Sequence, residues 1–388
     1  INIIFNAPEQ GLNCSNLLRR NQMTKAGKID LKAMQKLVNK KTGLNVAHNL
    51  NENNPTIVKQ WIPTGSRWLD SIICRGKYAG IPVGKITEIA GLSGAGKSFM
   101  AAQIAGNAQK MGLFPVYFDA ESAIDPMFLE QAGIDTNNLM YIQAVSVEKV
   151  LETIETLIEQ YEEHQFLFIW DSIAATSSEK ELESDFNPQS TMSVKPRIFG
   201  KAFPKLTIPL ADGQHTLLLI NQLKTNINTQ NPMAALVEPW IAPGGKAIGY
   251  FCSLRIWLTK RKSKASFVQD NVGLRIGSEV KCKLEKSRFG TEGRECTFKI
   301  LWAGESAIQD EQSWLTALKA SKTKRLALSG AWYSLVHSDG KETKFQAKQW
   351  LTKLGDPVFK QTVIDIMDEE IVKKFHAEGK NFGVSESD

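Results

Sequence analysis

The sequence predicts an α/β chain: a mostly parallel sheet flanked by helices, with a short helical N-terminal segment and a small α+β C-terminal domain. Three observations carry this. From residue 59 to about 305, apolar runs of strand length alternate with helical periodicities, the rhythm of a parallel sheet covered on both faces. The stretch GLSGAGKS, Gly91 to Ser98, satisfies GxxxxGK[ST] and stands between such a strand and such a helix. The strands end in polar residues, Asp119 with Glu121, Asp171 and Gln222, at the edge where ligands of such sheets bind.

The 388 residues exceed one typical domain. Apolar residues at 42% and charged residues at 23% are the proportions of a globular chain and exclude a disordered one. No run of 18 apolar residues occurs, so no transmembrane helix and no membrane partner are expected. Ile1 to Phe5 are too few for a signal-peptide core, and Met23 is a candidate native start. The five cysteines (Cys14, Cys74, Cys252, Cys282, Cys296) are scattered, with no CxxC pair and no histidine-rich spacing. Reduced thiols in a cytoplasm are expected rather than bridges or zinc. The net charge of +6 permits an anionic partner without demanding one. Basic residues cluster at Lys260–Lys264, at Lys281, Lys283, Lys286 and Arg288, and at Lys319, Lys322, Lys324 and Arg325.

Each element has its own signal. Residues 24–44 show a helical pattern through Ile29, Leu31, Met34, Leu37 and Val38. Asn45–Pro55 is asparagine-rich and reads as a linker, followed by a lone strand at Ile57, Val58 and Trp61. Ile86, Ile89 and Ala90 precede the glycine-rich loop as a strand, and Phe99 to Ala105 follow it as a helix. Further strands are Val116–Phe118, Phe166–Trp170, Thr216–Ile220 and Leu254–Leu258. Val147–Tyr161 is an amphipathic helix with Val150, Leu151, Ile154 and Leu157 on one face. The tail has a helix around Trp314–Lys319, a GAWYS turn at 330–334, and helical patterns near Phe345–Leu354 and Val358–Phe375. Three divisions result: 1–58, 59–305 and 306–388.

The glycine-rich loop sets the chemistry. Gly91, Ser93, Gly94, Ala95, Gly96, Lys97, Ser98 and Phe99 form a cradle whose amides turn inward around a triphosphate. Lys97 reaches the β- and γ-phosphates, and Ser98 ligates Mg²⁺. FLFIWDS, Phe166 to Ser172, has the form of a Walker B strand, with Asp171 holding the Mg²⁺ shell. Glu121, in YFDAESAIDP at 117–126, is the candidate general base; on position alone it serves equally well as a helix N-terminal carboxylate. Two long polar stretches without hydrophobic periodicity, Glu183–Lys195 and Lys224–Lys246, read as functional or disordered loops.

The motifs PTGSRWLD (63–70), GIPVGKITEIAGLSGAGKS (80–98), FDAESAIDP (118–126), IWDSIAA (169–175), INQ (220–222), APGGKAIGY (242–250) and GAWYS (330–334) stand in the order and spacing of the RecA-family recombinases, which the chain resembles. LEKSR at 284–288 and the divergence elsewhere look closer to the bacteriophage UvsX-type branch. The resemblance implies a RecA-type P-loop ATPase core. It implies a DNA-dependent ATPase using ATP and Mg²⁺. Such a protein forms homo-oligomeric helical filaments on single-stranded DNA and pairs it with homologous duplex DNA, in the cytoplasm of a bacterium or a phage-infected host.

The resemblance also implies roles for residues. Glu121 is the catalytic glutamate. Asp125 and Phe128 contact adenine, Phe128 by stacking. Gln222 senses the γ-phosphate. Lys286 and Arg288 reach a neighbour's ATP as catalytic cations. The two polar stretches are DNA-binding loops, the second offering Asn226, Asn228, Gln230, Met233 and Trp240. Residues 24–44 and Ile57–Val58 are the amino-terminal helix and polymerisation strand, which would add to a neighbour's sheet edge. The alternatives are a RecA-core hexameric helicase and a non-catalytic nucleotide-gated scaffold. Residues 1–58 look too short for the helicase's assembly domain, and the set Lys97, Ser98, Glu121 and Asp171 argues against the scaffold.

Overall fold

The computed structural model describes residues 29–43, 46–49, 56–122, 124–184, 193–226, 239–260, 266–302 and 307–373. The chain divides into two compact units, Ile1–Ile57 and Val58–Asp388. In the first, helix α1 (Leu31–Thr42) is capped by Asp30, whose side chain accepts from the amides of Lys32 and Ala33, and it ends at Gly43 in the left-handed conformation. Glycine is suited there because it carries no Cβ penalty. Thr56 and Ile57 form a turn and bend. Ile57–Val58, expected as a strand, makes no strand pairing within this chain. The strand lies at β1 (Trp61–Ile62), and it is not alone, since it pairs antiparallel with β2 (Ile81–Pro82). Between them runs helix α2 (Arg67–Ile73), with Ser66 as its N-cap.

The main sheet follows. Strand β3 (Ile86–Gly91) leads through the loop into α3 (Lys97–Lys110). Then come β4 (Phe114–Asp119), α4 (Pro126–Gln131), β5 (Met140–Gln143), α5 (Val147–Gln160) and β6 (Phe166–Asp171). A short α6 (Glu179–Glu183) and a long α7 (Val194–Asp212) precede β7 (Thr216–Gln222). A ribbon of β8 (Lys224–Thr225) and β9 (Trp240–Ile241) leads to the helix Lys246–Phe251 and then β10 (Leu254–Thr259). Six strands run parallel in the order β10-β3-β7-β6-β4-β5. Beyond β10 the sheet turns antiparallel through β11 (Phe267–Gln269), β12 (Arg275–Ser287), β13 (Glu295–Leu301) and β14 (Ile308–Gln309).

Both faces of the parallel part are covered, which is why its strands are apolar throughout rather than alternating. In β6, Leu167 and Ile169 pack on the α3 side, while Phe166, Phe168 and Trp170 pack toward α5 and α7. Strands β4, β6 and β7 extend past the apolar runs to include Asp119, Asp171 and Asn221–Gln222. Helix α7 contains Pro204 and Pro209 and takes in Lys195, so the first polar stretch is shorter than expected. Phe199, Phe203, Leu206 and Leu210 are its buried face. Four such side chains, at about 2 kcal/mol each, offset two interior prolines at about 3 kcal/mol each. Positions 185–192 and 227–238, with Asp185, Asn228, Gln230 and Met233, lie outside the described residues.

The tail opens with the helix Asp310–Ser321. A three-stranded antiparallel sheet follows: β15 (Leu326–Ser329), β16 (Trp332–Val336) and β17 (Glu342–Gln346). The GAWYS segment is a turn only at Gly330–Ala331; Trp332, Tyr333 and Ser334 belong to β16. Phe345 likewise lies in β17, and the helix after it begins at Trp350. Phe345 stacks on Tyr333 and meets Phe359 edge-on, both at 5.4 Å. No helix among the described residues is long and apolar enough to cross a membrane.

Where the tail helix meets α2, two carboxylates are buried. Burial pushes the Asp70 carboxyl up to about 8, against hydrogen bonds from Thr64, and the Asp310 carboxyl up to about 6. Above the ordinary carboxylate range only the folded chain keeps the Asp70 proton, so its contribution to stability falls as pH rises toward 8. Asp70→Asn should therefore flatten the melting-temperature profile between about pH 6.5 and 8, above the Asp310 titration. Scanning calorimetry of both proteins decides it; an equally steep variant would place the slope in another group.

Candidate active site

The loop from Gly91 to Gly96 is built by contacts that exclude side chains. A Cβ on Gly91 would lie 2.8 Å from the Leu258 carbonyl oxygen of β10. Gly94 and Gly96 have φ of +65° and +84°, in the left-handed region that favours glycine. Helix α3 starts on Gly96 with no side-chain cap, so its first amides carry their partial positive charge into the loop. Lys97 Nζ donates to the Leu92 carbonyl at 3.2 Å. Burial lowers its pKa, and the carboxylates of Asp171 and Glu121 oppose that. A second cation enters from β10: Lys260 Nζ donates to the Gly94 carbonyl at 3.0 Å.

Strand pairing brings the acidic residues alongside. Asp119 and Asp171 are register partners at the ends of β4 and β6. Asp171 Oδ2 accepts from the buried Tyr117 hydroxyl at 2.9 Å. Burial pushes the Asp171 carboxyl up, while hydrogen bonds from Ser98 and Tyr117 and the Lys97 ammonium hold it down. A hydroxyl and a carboxylate in contact are hard oxygen donors, and Ser98 with Asp171 fits Mg²⁺ and its water shell. Asp119 shapes the next loop. It accepts from the amides of Glu121 at 2.9 Å and Ile124 at 3.3 Å, and from Tyr141 Oη at 3.1 Å.

That loop carries Glu121 to the centre. Gln222 Nε2 at 3.1 Å and Ser172 Oγ at 3.3 Å both donate to Glu121 Oε1. Ser98, Phe99, Glu121, Phe128 and Asp171 line a cavity of about 220 Å³. Phe128 meets Phe99 edge-on at 4.5 Å, so an apolar wall faces the carboxylates. Asp125 caps α4, its Oδ1 accepting from the Met127 amide at 2.9 Å.

Lys97, Ser98, Glu121, Phe128, Asp171 and Gln222 are thus brought together, whereas Lys286 and Arg288 are not. Lys286 pairs with Arg255, which pairs with Glu88, three residues upstream of Gly91. Its Nζ donates to the carbonyls of Gly249 at 2.5 Å and Tyr250 at 3.1 Å, and Arg288 donates to Tyr250 at 2.7 Å. Both cations sit at the opposite end of the sheet from their own phosphate loop. Sequence reasoning missed Lys260, Tyr117 and Asn221. Lys260 stood in a basic run, but its place directly after a strand beside β3 was an available signal.

The sequence profile of the RecA N-terminal domain matches residues 29–306. The chain is 28% identical to Protein RecA of Symbiobacterium thermophilum, over 81% of this chain and 85% of that protein. It is 30% identical to Protein RecA of Mycoplasma mycoides subsp. mycoides SC, over 87% and 91% respectively. Protein RecA of Sulfurovum sp. (strain NBC37-1) is 32% identical, over 70% and 73%.

Proposed function

The chain belongs to the RecA family, and from that membership we propose how its own residues carry the reaction. It is a RecA-type DNA recombinase and a DNA-dependent ATPase that uses ATP with Mg²⁺ and acts on single-stranded and duplex DNA. Its subunits assemble as a helical filament on the single strand and exchange it into a homologous duplex. Base pairing supplies the search, so the protein binds without strong sequence preference.

Lys97 neutralises the β- and γ-phosphates, and Ser98 and Asp171 hold Mg²⁺, which supplies charge neutralisation at the transferring phosphoryl group. Glu121 takes the proton of the attacking water. Gln222, already bonded to Glu121 Oε1, links that carboxylate to the segment 224–246, which contacts DNA. Phe128 and Asp125, at the start of α4, would contact the adenine, Phe128 by stacking. LEKSR at 284–288 supports a place nearer the bacteriophage UvsX-type branch.

The observation that carries the reading is the separation of charges. The phosphate loop stands at one end of the sheet and the Lys286–Arg288 pair at the other, so a complete site takes both ends from adjacent subunits. Head-to-tail contacts of this kind build filaments. The test is complementation. Lys286→Ala and Lys97→Ala each lose DNA-stimulated hydrolysis alone. Mixed in equal amounts on single-stranded DNA, random neighbours form one intact interface in about four, and the rate recovers to about that fraction. No recovery at any ratio makes Lys286 an ordinary surface charge.

A further inference from the structure

Asn221 is fully buried and follows the apolar run Leu217–Ile220 of its strand. A buried carboxamide costs several kcal/mol unless it is bonded, so its partners say what it is for. Its Nδ2 donates to Glu88 Oε1 at 2.8 Å and to the Pro243 carbonyl at 2.8 Å. Its Oδ1 accepts from the backbone amide of Gln222 at 2.9 Å. One side chain therefore touches three elements. Glu88 is on β3, also fully buried, and its Oε2 is paired with Arg255 Nε at 2.5 Å. Gln222 contacts Glu121. Pro243 closes the segment that leaves β7 at Lys224.

The geometry of that closure matters. The segment is pinched at its base by pairing of Lys224 with Ile241 and Thr225 with Trp240. Directly after Pro243, Gly244 and Gly245 have φ of +104° and +78°, a conformation other residues rarely adopt. Proline has no N–H, so its carbonyl is the one backbone group by which Pro243 can be held. The tether lies just before the two-glycine joint. At the other end, Gln222 pairs with Gly91, the first residue of the phosphate loop, and the Leu223 amide donates to the Gly91 carbonyl at 3.0 Å.

We propose that Asn221 is the positioning residue that transmits the state of the nucleotide site to the DNA-binding segment, by holding the Gln222 amide with one end of its carboxamide and the Pro243 carbonyl with the other. A movement of Gln222 toward or away from the phosphates turns the carboxamide, and the turn moves the tether. Glu88, fixed by Arg255, is the pivot. This rests on the reading that Gln222 senses phosphate and that 224–246 contacts DNA.

The experiment measures the affinity for a fluorescent oligo-dT with and without a non-hydrolysable ATP analogue, and takes the ratio of the two dissociation constants. Asn221→Asp keeps the acceptor for Gln222 but loses both donors. The ratio should fall about tenfold, the size of a typical coupling. Gln222→Ala should fall comparably, and the double variant no further, because both act on one path. Should Asn221→Asp fold poorly, Glu88→Gln is added to it. The new amide can donate to the new carboxylate, restoring the β3–β7 bond with the charge conserved, while Pro243 stays unheld. The melting temperature should recover and the ratio should not. A wild-type ratio in folded Asn221→Asp, or in the swapped pair, overturns the proposal. A wild-type protein whose DNA affinity ignores the analogue overturns the reading beneath it, and the proposal with it.

Discussion

Lys97→Ala should reduce ATP turnover on single-stranded DNA by at least about a thousandfold, the scale on which a preorganised charge acts at a phosphoryl transition state. Lys97 is the ammonium placed at the first turn of α3, and Asp171 and Glu121 flank it. Alanine removes the ammonium that stands between those carboxylates and the polyphosphate and leaves Lys260, on the Gly94 carbonyl, as the remaining side-chain cation at the loop, so nucleotide affinity should drop as well. The fold should persist, because the Lys97 ammonium bonds only a loop carbonyl and the core beneath α3 is made by Met100, Ala101, Ile104 and Ala105. A steady-state assay paired with a melting curve checks both halves. Turnover within about tenfold of wild type in a folded variant would remove Lys97 from the chemistry.

Glu121→Gln should separate binding from hydrolysis. The variant keeps an oxygen able to accept from Gln222 Nε2 and Ser172 Oγ, so the loop that Asp119 organises should hold its shape. What is lost is the proton acceptor, worth about a hundredfold to ten-thousandfold in rate. ATP should still bind, and DNA complexes should outlast those of the wild type because nothing resets them. Fluorescent-nucleotide binding together with the rate of DNA release reads this out. Rapid release with normal turnover would mean that a different group activates the water.

Much of this site was legible in the sequence because its parts are local. The phosphate cradle is eight consecutive residues in which Gly94 and Gly96 are required by backbone conformation and Gly91 by close approach, and the flanking strand and helix announce themselves by periodicity. Asp171 and Asp119 sit at the ends of apolar runs, and the parallel register then places them side by side. The same locality misled elsewhere. Pro204 and Pro209 locally oppose a helix at α7, although Phe199, Phe203, Leu206 and Leu210 stand at helical spacing. The glycine of GAWYS favours a turn, yet Tyr333 belongs to a strand and stacks on Phe345 from the next one.

By itself, the sequence carried the α/β class, the phosphate loop and its nucleotide chemistry, and the resemblance to the family, through which Glu121 joined Lys97, Ser98 and Asp171 as candidates. These follow from short-range constraints: helix and strand periods, glycine conformations and motif order. Only the tertiary structure decided which charges meet. It put Lys260 on Gly94, 166 residues away, Tyr117 on Asp171, and Asn221 on Glu88 across 133 residues. It turned Lys286 and Arg288 away from their own phosphate loop. Contacts of this kind arise from strand order and register, which depend on how the whole sheet packs, and a buried polar group takes whichever partner that packing brings within reach.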